Sequence, residues 1–394
     1  MSNTHRSADV LVIGGGVIGL SIAWRARERG LGVTVLERDT LGAGTSRVAA
    51  GMLAPVAEAE FGESGRRLLE LGLRSAQLWP SFAERLNASG AIDVGLMRTG
   101  TLLLARDDDE ARELERQISF RDSLGLISER LRASEARERE PALAPALRLA
   151  LEVPDDHSVD PRLVLAALRA ACEAAGVELR EHAPVARICS DEDGRVLGAR
   201  LAAAGGGEGE LVPAGQIVLA CGAWSEQLDG VGEQVPVRPV RGQLLRLRDP
   251  RGPGLLHRVV RFEGGYVVPR ADGSYVLGAT VEERGFDVQP DVGGIYELLR
   301  DAHELVPGVS ELKIDELCVG LRPGTPDNAP AIGPGSLEGL VWATGHHRNG
   351  ILLAPLTAEL VAGLLADESG AGSASGAAEL LAACAPQRFQ AVHA

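Results

Sequence analysis

Apolar residues run unbroken from Val10 to Ile13 and give way to glycine at positions 14 to 16. Such a run, closed by glycine, suits a parallel strand buried on both faces. Behind it the chain predicts a helix from about Ile18 to Glu28, ended by Gly30 and Gly32, and then a second strand in "VTVLE". Between 64 and 89, Leu68, Leu71, Leu78, Phe82 and Leu86 fall at helical spacing and predict a packed helix pair. "TGTLLLARDDDEARELERQISF" predicts a strand, a polar turn and an amphipathic helix, with Asp107 to Glu110 as a surface charge run at the helix start. The proline-rich segment that follows predicts a crossing between lobes, with His157 as a loop histidine.

Farther along, "DPRLVLAALRAACEAAGVELR" predicts a helix with Pro161 in its first turn, then a strand. A glycine-rich hairpin tip around 205 to 207 precedes a buried strand, Ile217 to Ala220. From Val235 to Thr280 the pattern changes to short alternating runs bounded by glycine and proline, which predicts an antiparallel sheet. "VGGIYELLRDAHELVPGV" then predicts a helix and "LKIDELCVGLRP" a strand. The last 29 residues, 366 to 394, are rich in Ala, Gly and Ser and predict a partly disordered tail with a short helix at Ala377 to Ala383.

The length of 394 residues favours two domains. No apolar run reaches the length of a membrane span, and the N-terminus lacks the regions of a signal peptide, so a cytoplasmic location is the expectation. Five dispersed cysteines suggest neither a disulfide framework nor a CxxC metal site. The net charge of -15 disfavours nucleic acid and anionic lipid, which leaves a small molecule as the expected partner.

The chemistry starts at the first turn. Gly14 permits the tight turn, Gly16 allows close approach of a pyrophosphate, and Gly19 lets helix and strand pack closely. The diphosphate would then sit on unpaired helix N–H groups. Glu37 stands where a carboxylate accepts from ribose hydroxyls, and it would repel the 2'-phosphate of NADP. "GAGTSRVAAGMLAP" supplies a second phosphate-side loop, capped by Thr45 and Ser46, that suits a cofactor larger than a nicotinamide dinucleotide. Gly222, just beyond a buried strand end, is placed beside a cofactor, whereas Cys221 reads as core. In "VGLRPGTPDNAPAIG", Arg322 is held between Gly320 and Pro323. The residues alone leave two readings of it open: a fork for a substrate carboxylate, or a structural arginine on backbone carbonyls. His346 and His347 share no helix face and have no carboxylate at HExxH spacing, so they are not read as metal ligands.

"DVLVIGGGVIGLSIAWRARERGLGVTVLER" with "GTSRVAAGMLAP" resembles the FAD-binding region of the D-amino acid oxidase superfamily, and most closely its glycine oxidase branch in thiamine biosynthesis. The likeness runs from about Ala8 to Leu365. It implies an α/β fold in which a Rossmann-like FAD-binding domain (8–80, 151–232, 319–365) is interwoven with an antiparallel-sheet substrate domain (81–150, 233–318). The cofactor implied is FAD, held noncovalently, since Cys318 lies two positions before the site of a covalent tether in sarcosine-oxidase-like proteins. Its expected binding residues are Gly14, Gly16, Val17, Ile18, Gly19, Glu37 and Arg38, then Thr45, Ser46, Ala50, Gly51 and Met52. Val185, Gly222, Trp224, His347, Arg348, Asn349, Gly350 and Ile351 complete the set. Gly350 and Ile351 would open the last helix with its N–H groups toward the flavin C2 carbonyl.

The resemblance also puts Arg322 on the substrate carboxylate with Tyr266 assisting, and makes Arg348 the second active-site arginine. It implies oxidation of glycine, with hydride passing from Cα to flavin N5, oxygen as the final acceptor, and a homotetramer. Gly264 and Val281 depart from the histidine and methionine of the glycine oxidase branch, which leaves sarcosine, proline and D-amino acids as rival substrates. A dehydrogenase that passes its electrons to another acceptor is a rival activity, and a nonenzymatic nucleotide-binding protein is a rival without chemistry.

Overall fold

In the computed structural model the described residues are 8–203, 208–366 and 376–392. The glycine-rich hairpin tip and most of the Ala/Gly/Ser-rich stretch before residue 376 lie outside them.

Two eight-stranded sheets organise the chain. In the first, the strand Ala8–Ile13 lies between Val33–Leu36 and Glu208–Leu219, and all three are parallel. Leu340–Thr344 continues the parallel set on one side and Glu178–Arg180 on the other. Val10 to Ile13 are all buried because both faces are covered: Val10 and Val12 enter one apolar cluster, Leu11 and Ile13 another. Helices Val17–Glu28, Pro161–Ala175 and Gly350–Leu365 pack on the Val10 side.

The second sheet runs, in spatial order, through Lys313–Gly324, Arg238–Arg248, Ser274–Gly278, Gly265–Pro269, Val259–Phe262, Thr101–Ala105, Leu149–Val153 and Glu129–Arg132. It is antiparallel except where Val259–Phe262 pairs in parallel with Thr101–Ala105, joining its early and late halves. The segment 319–324, expected with the nucleotide domain, completes the edge strand of this second sheet, and Arg322 pairs with Val240 there.

The expected helix pair at 64–89 is a single helix, Gly62–Gly90, that passes through Pro80. The boundary expected at 80/81 therefore falls inside a helix, whose buried face, including Leu71, Trp79 and Phe82, joins the first apolar cluster. Pro355 lies inside the partner helix Gly350–Leu365. The carbonyl of Leu352 accepts from Ser75 Oγ at 2.6 Å and Trp79 Nε1 at 2.9 Å, so the two helices are locked where the proline loosens one of them. His157 belongs to a two-residue strand paired with Met52–Leu53 rather than to a loop. Among the described residues no helix is long and apolar enough to cross a membrane.

Candidate active site

One cavity of about 640 Å³ lies between the two sheets. Its nucleotide end is built by the turn after the first strand. Gly14 has φ +109°, and a Cβ there would fall 2.8 Å from the carbonyl carbon of Ala220 and closer still to its oxygen. A side chain at Gly19 would strike the carbonyl of Gly14, so this third glycine serves packing and does not line the cavity. Glu37 Oε2 accepts from the N–H of Gly15 at 2.7 Å and Oε1 from that of Asp39 at 3.0 Å, which fixes the carboxylate at the cavity wall. Ser46 Oγ accepts from Val17 N–H at 3.1 Å, and Thr45 Oγ1 donates to Leu321 O at 2.7 Å, tying the second glycine-rich loop to the start of the first helix and to the second sheet. Arg38 lies 3.8 Å over the Trp224 ring, a cation–π contact at the cavity rim.

The other end holds Arg322. Its Nη1 donates to Arg241 O at 3.2 Å and Thr280 O at 3.0 Å. Gly242 makes room for the guanidinium: a Cβ there would stand 2.5 Å from Nη2 and 2.6 Å from Cζ. Burial pulls the Arg322 pKa below the ordinary arginine value, with Arg348 adding to that effect and Tyr266 and Glu58 opposing it. Arg322 thus sits on backbone carbonyls, as the structural reading expects, and it also lines the cavity with no carboxylate in ion-pair contact among the described residues.

Arg348 differs. Its Nε is 3.5 Å from Glu58 Oε2 and its Nη2 pairs with Glu60, and Glu58 above all holds its pKa above the usual value. Tyr266 does not line the cavity; its hydroxyl packs against Gly278, next to the lining residue Ala279, and burial raises its pKa while Arg322 opposes. Of the residues expected from sequence, all line the cavity except Gly19, Asn349 and Tyr266, and Asn349 borders a small adjoining pocket. Gly264 and Val281 are exposed and do not line it.

Both histidines line the cavity as neutral groups. Burial pushes His346 down to about 3, with Nε2 3.0 Å from Thr357 Oγ1, and burial and the Arg348 charge push His347 down to about 4. No group of side chains suited to a metal ion occurs among the described residues. Cys221, expected in the core, is instead half-buried and lines the cavity, with desolvation raising its thiol to about 12. Sequence reasoning missed Glu58 and Gly242. Glu58 lies in an ordinary polar stretch after "GMLAP", and Gly242 is significant only through its cross-strand neighbour.

Residues 9–364 match the family described as FAD dependent oxidoreductase (DAO). The chain belongs to this family. It is 38% identical over 365 residues to a glycine oxidase of Geobacillus kaustophilus, covering 92% of this chain and 93% of that one. The crystal structure of glycine oxidase from that organism superposes with a TM-score of 0.86 at 36% identity, over 97% of this chain and 99% of the other. A "Bifunctional protein ThiO/ThiG" of Trichormus variabilis is 36% identical over 362 residues, which span 91% of this chain and 53% of that protein.

The protein is therefore an FAD-dependent oxidoreductase acting on amino-acid-like substrates, and the nonenzymatic reading falls. The cavity fits the cofactor of the family. The glycine cradle at Gly14 excludes a side chain, Glu37 presents a carboxylate at one end, and Gly350 and Ile351 bring the start of a 16-residue helix to the wall. That helix has no side-chain cap, so its first N–H groups are open to an anionic or polar partner.

Proposed function

We propose that the protein is a glycine oxidase, active also on sarcosine and small D-amino acids, with noncovalent FAD. The observation that carries this reading is the contrast between the two arginines at the substrate end: Arg348 is engaged by Glu58 and Glu60, whereas Arg322 faces the cavity with no carboxylate partner among the described residues. A planar fork fixed by two backbone carbonyls is preorganised for one carboxylate group.

Bound FAD supplies the two-electron acceptor and the route to oxygen and hydrogen peroxide. The chain's own part is to bind and orient. Arg322 grips the carboxylate through the edge that does not face the carbonyls of Arg241 and Thr280, and by resemblance the Tyr266 hydroxyl, beside Gly278, assists the same carboxylate. The substrate reacts with its amine neutral. The two lining histidines, held at about 3 and about 4, are too weakly basic to take a proton from carbon near neutral pH. The imino acid is then hydrolysed to glyoxylate and ammonia or passes to thiazole assembly for thiamine. Cys318 is buried among Ala50, Leu244 and Val268 and does not line the cavity, which supports noncovalent attachment. The homotetramer, which rests on resemblance, and the cytoplasmic location, carried over as the expectation from the sequence, belong to the same proposal.

The test is oxygen consumption coupled to peroxide on a panel of glycine, sarcosine, D-alanine and D-proline, beside reduction of an artificial dye. Peroxide formed from glycine in step with oxygen uptake is the expected result. Turnover with dye alone would make the protein a dehydrogenase, and preference for a bulkier amine would move the substrate assignment.

A further inference from the structure

Glu58 stands at the substrate end of the cavity with a side chain only 14% exposed. Arg261 Nη1 donates to its Oε1, and Arg348 Nε approaches its Oε2 at 3.5 Å. These guanidinium groups, with Arg322 contributing, hold its pKa below the usual carboxylate range against the opposing effect of burial. The loop that carries it is fixed from both sides. Asp156, fully buried, accepts from the N–H of Val56 at 3.2 Å and of Ala57 at 2.5 Å, while Arg121, also fully buried, donates to both of their carbonyls at 2.9 Å.

Three guanidiniums and two carboxylates meet at this end. Arg261 pairs with Glu58, and Arg348 with Glu58 and Glu60, whereas Arg322 makes no ion pair with a carboxylate among the described residues. Two other buried arginines have partners of their own: Arg241 has Glu282, Asp287 and Asp291, and Arg270 has Asp160. One guanidinium without a carboxylate partner matches one acid group on the ligand.

We infer that Glu58 is a specificity-determining residue that restricts the site to amines with a single carboxylate. A second acid group on the substrate meets the Glu58 charge and finds Arg261 and Arg348 already engaged. This inference rests on the amino-acid oxidase reading above and deepens it by naming the substrate class.

Glu58→Gln in the FAD-loaded protein tests it. Flavin absorbance is followed while glycolate, a monoacid, and malonate, a diacid, are titrated, and kcat/KM is measured for glycine and for iminodiacetate. In the variant the malonate-to-glycolate affinity ratio rises at least tenfold, and the iminodiacetate-to-glycine kcat/KM ratio rises in the same direction. Glu58→Asp keeps the wild-type ratios. Arg261→Met, which removes a positive charge and leaves Glu58 less balanced, lowers the malonate-to-glycolate ratio and serves as the second probe if the glutamine variant does not fold. Equal changes for monoacid and diacid, or none, would assign Glu58 a purely structural role and overturn the inference, as would a rise of the ratio in Arg261→Met. The ligand titrations need no turnover. A wild-type protein that binds both acids yet oxidises no amine would defeat the functional reading while leaving the charge-selection test intact.

Discussion

Replacing Gly242 with alanine separates the placing of the substrate guanidinium from the stability of the fold. Gly242 sits in a strand paired with the Arg322 strand, and its backbone is not left-handed, so alanine introduces no conformational strain. The new Cβ would lie 2.5 Å from Arg322 Nη2 and 2.6 Å from Cζ. Ordinary contact begins near 3.4 Å, so the guanidinium must move by about 1 Å. The atoms displaced are the far end of a flexible side chain, so the strand itself need not shift. Misplacing a substrate-positioning group by about 1 Å costs on the order of 100-fold in rate, or about 2.7 kcal/mol of transition-state stabilisation. Steady-state kinetics on glycine, FAD content from absorbance, and thermal unfolding together form the assay. A loss in kcat/KM of about 100-fold is expected with FAD retained and stability changed by less than about 1 kcal/mol. Unchanged kcat/KM in a folded, FAD-loaded variant would refute the claim that Arg322 holds the carboxylate in the position described.

Other expectations follow from the same geometry. Arg322→Leu should lower glycine kcat/KM by roughly 2 to 5 kcal/mol with the yellow cofactor still bound, and kinetics that match the wild type would remove Arg322 from the site. Gly14→Ala, at φ +109° and against the Ala220 carbonyl, should abolish FAD binding or soluble expression, as read by flavin absorbance of the purified protein. His346 has a folded pKa of about 3 against an ordinary value of 6.5, so the unfolded chain binds the extra proton as pH falls. The stability it contributes is complete above 6.5 and declines toward about 3, at about 1.4 kcal/mol per pH unit. Denaturant titrations of wild type and His346→Gln between pH 6 and 4 should differ by that slope, and parallel profiles would show that His346 does not titrate as described. Asp156, raised to about 7 by burial, acts with the opposite sign, since its stability contribution falls as pH rises from about 4 to 7. Asp156→Asn should remove that opposing slope in the same titrations.

The nucleotide end of the site was legible in the sequence because local rules fix it. Apolar run, glycine turn, helix and terminal carboxylate occur within one contiguous βαβ stretch, and each glycine answers a constraint set by atoms a few residues or one strand away. At the substrate end Arg322 and Tyr266 were expected only through resemblance, and Gly242 and Glu58 were missed. Arg322, Gly242, Tyr266 and Glu58 come from four separated segments, and their significance arises from cross-strand pairing and loop packing that no local pattern records. Pro80 illustrates a different limit: the sequence reads as two helices, but burial of Leu71, Trp79 and Phe82 on one face carries the helix through the proline. The parallel pairing of Val259–Phe262 with Thr101–Ala105 joins segments more than 150 residues apart, beyond what hydrophobic alternation specifies.

The most direct measurement mixes the purified yellow protein with glycine in the absence of oxygen, records the flavin absorption bands, and then admits air. Bleaching by glycine, recovery of the bands in air and one peroxide per reoxidised flavin are the results this account requires. Flavin that stays yellow with glycine and bleaches only with an amine lacking a carboxylate would contradict it at its centre.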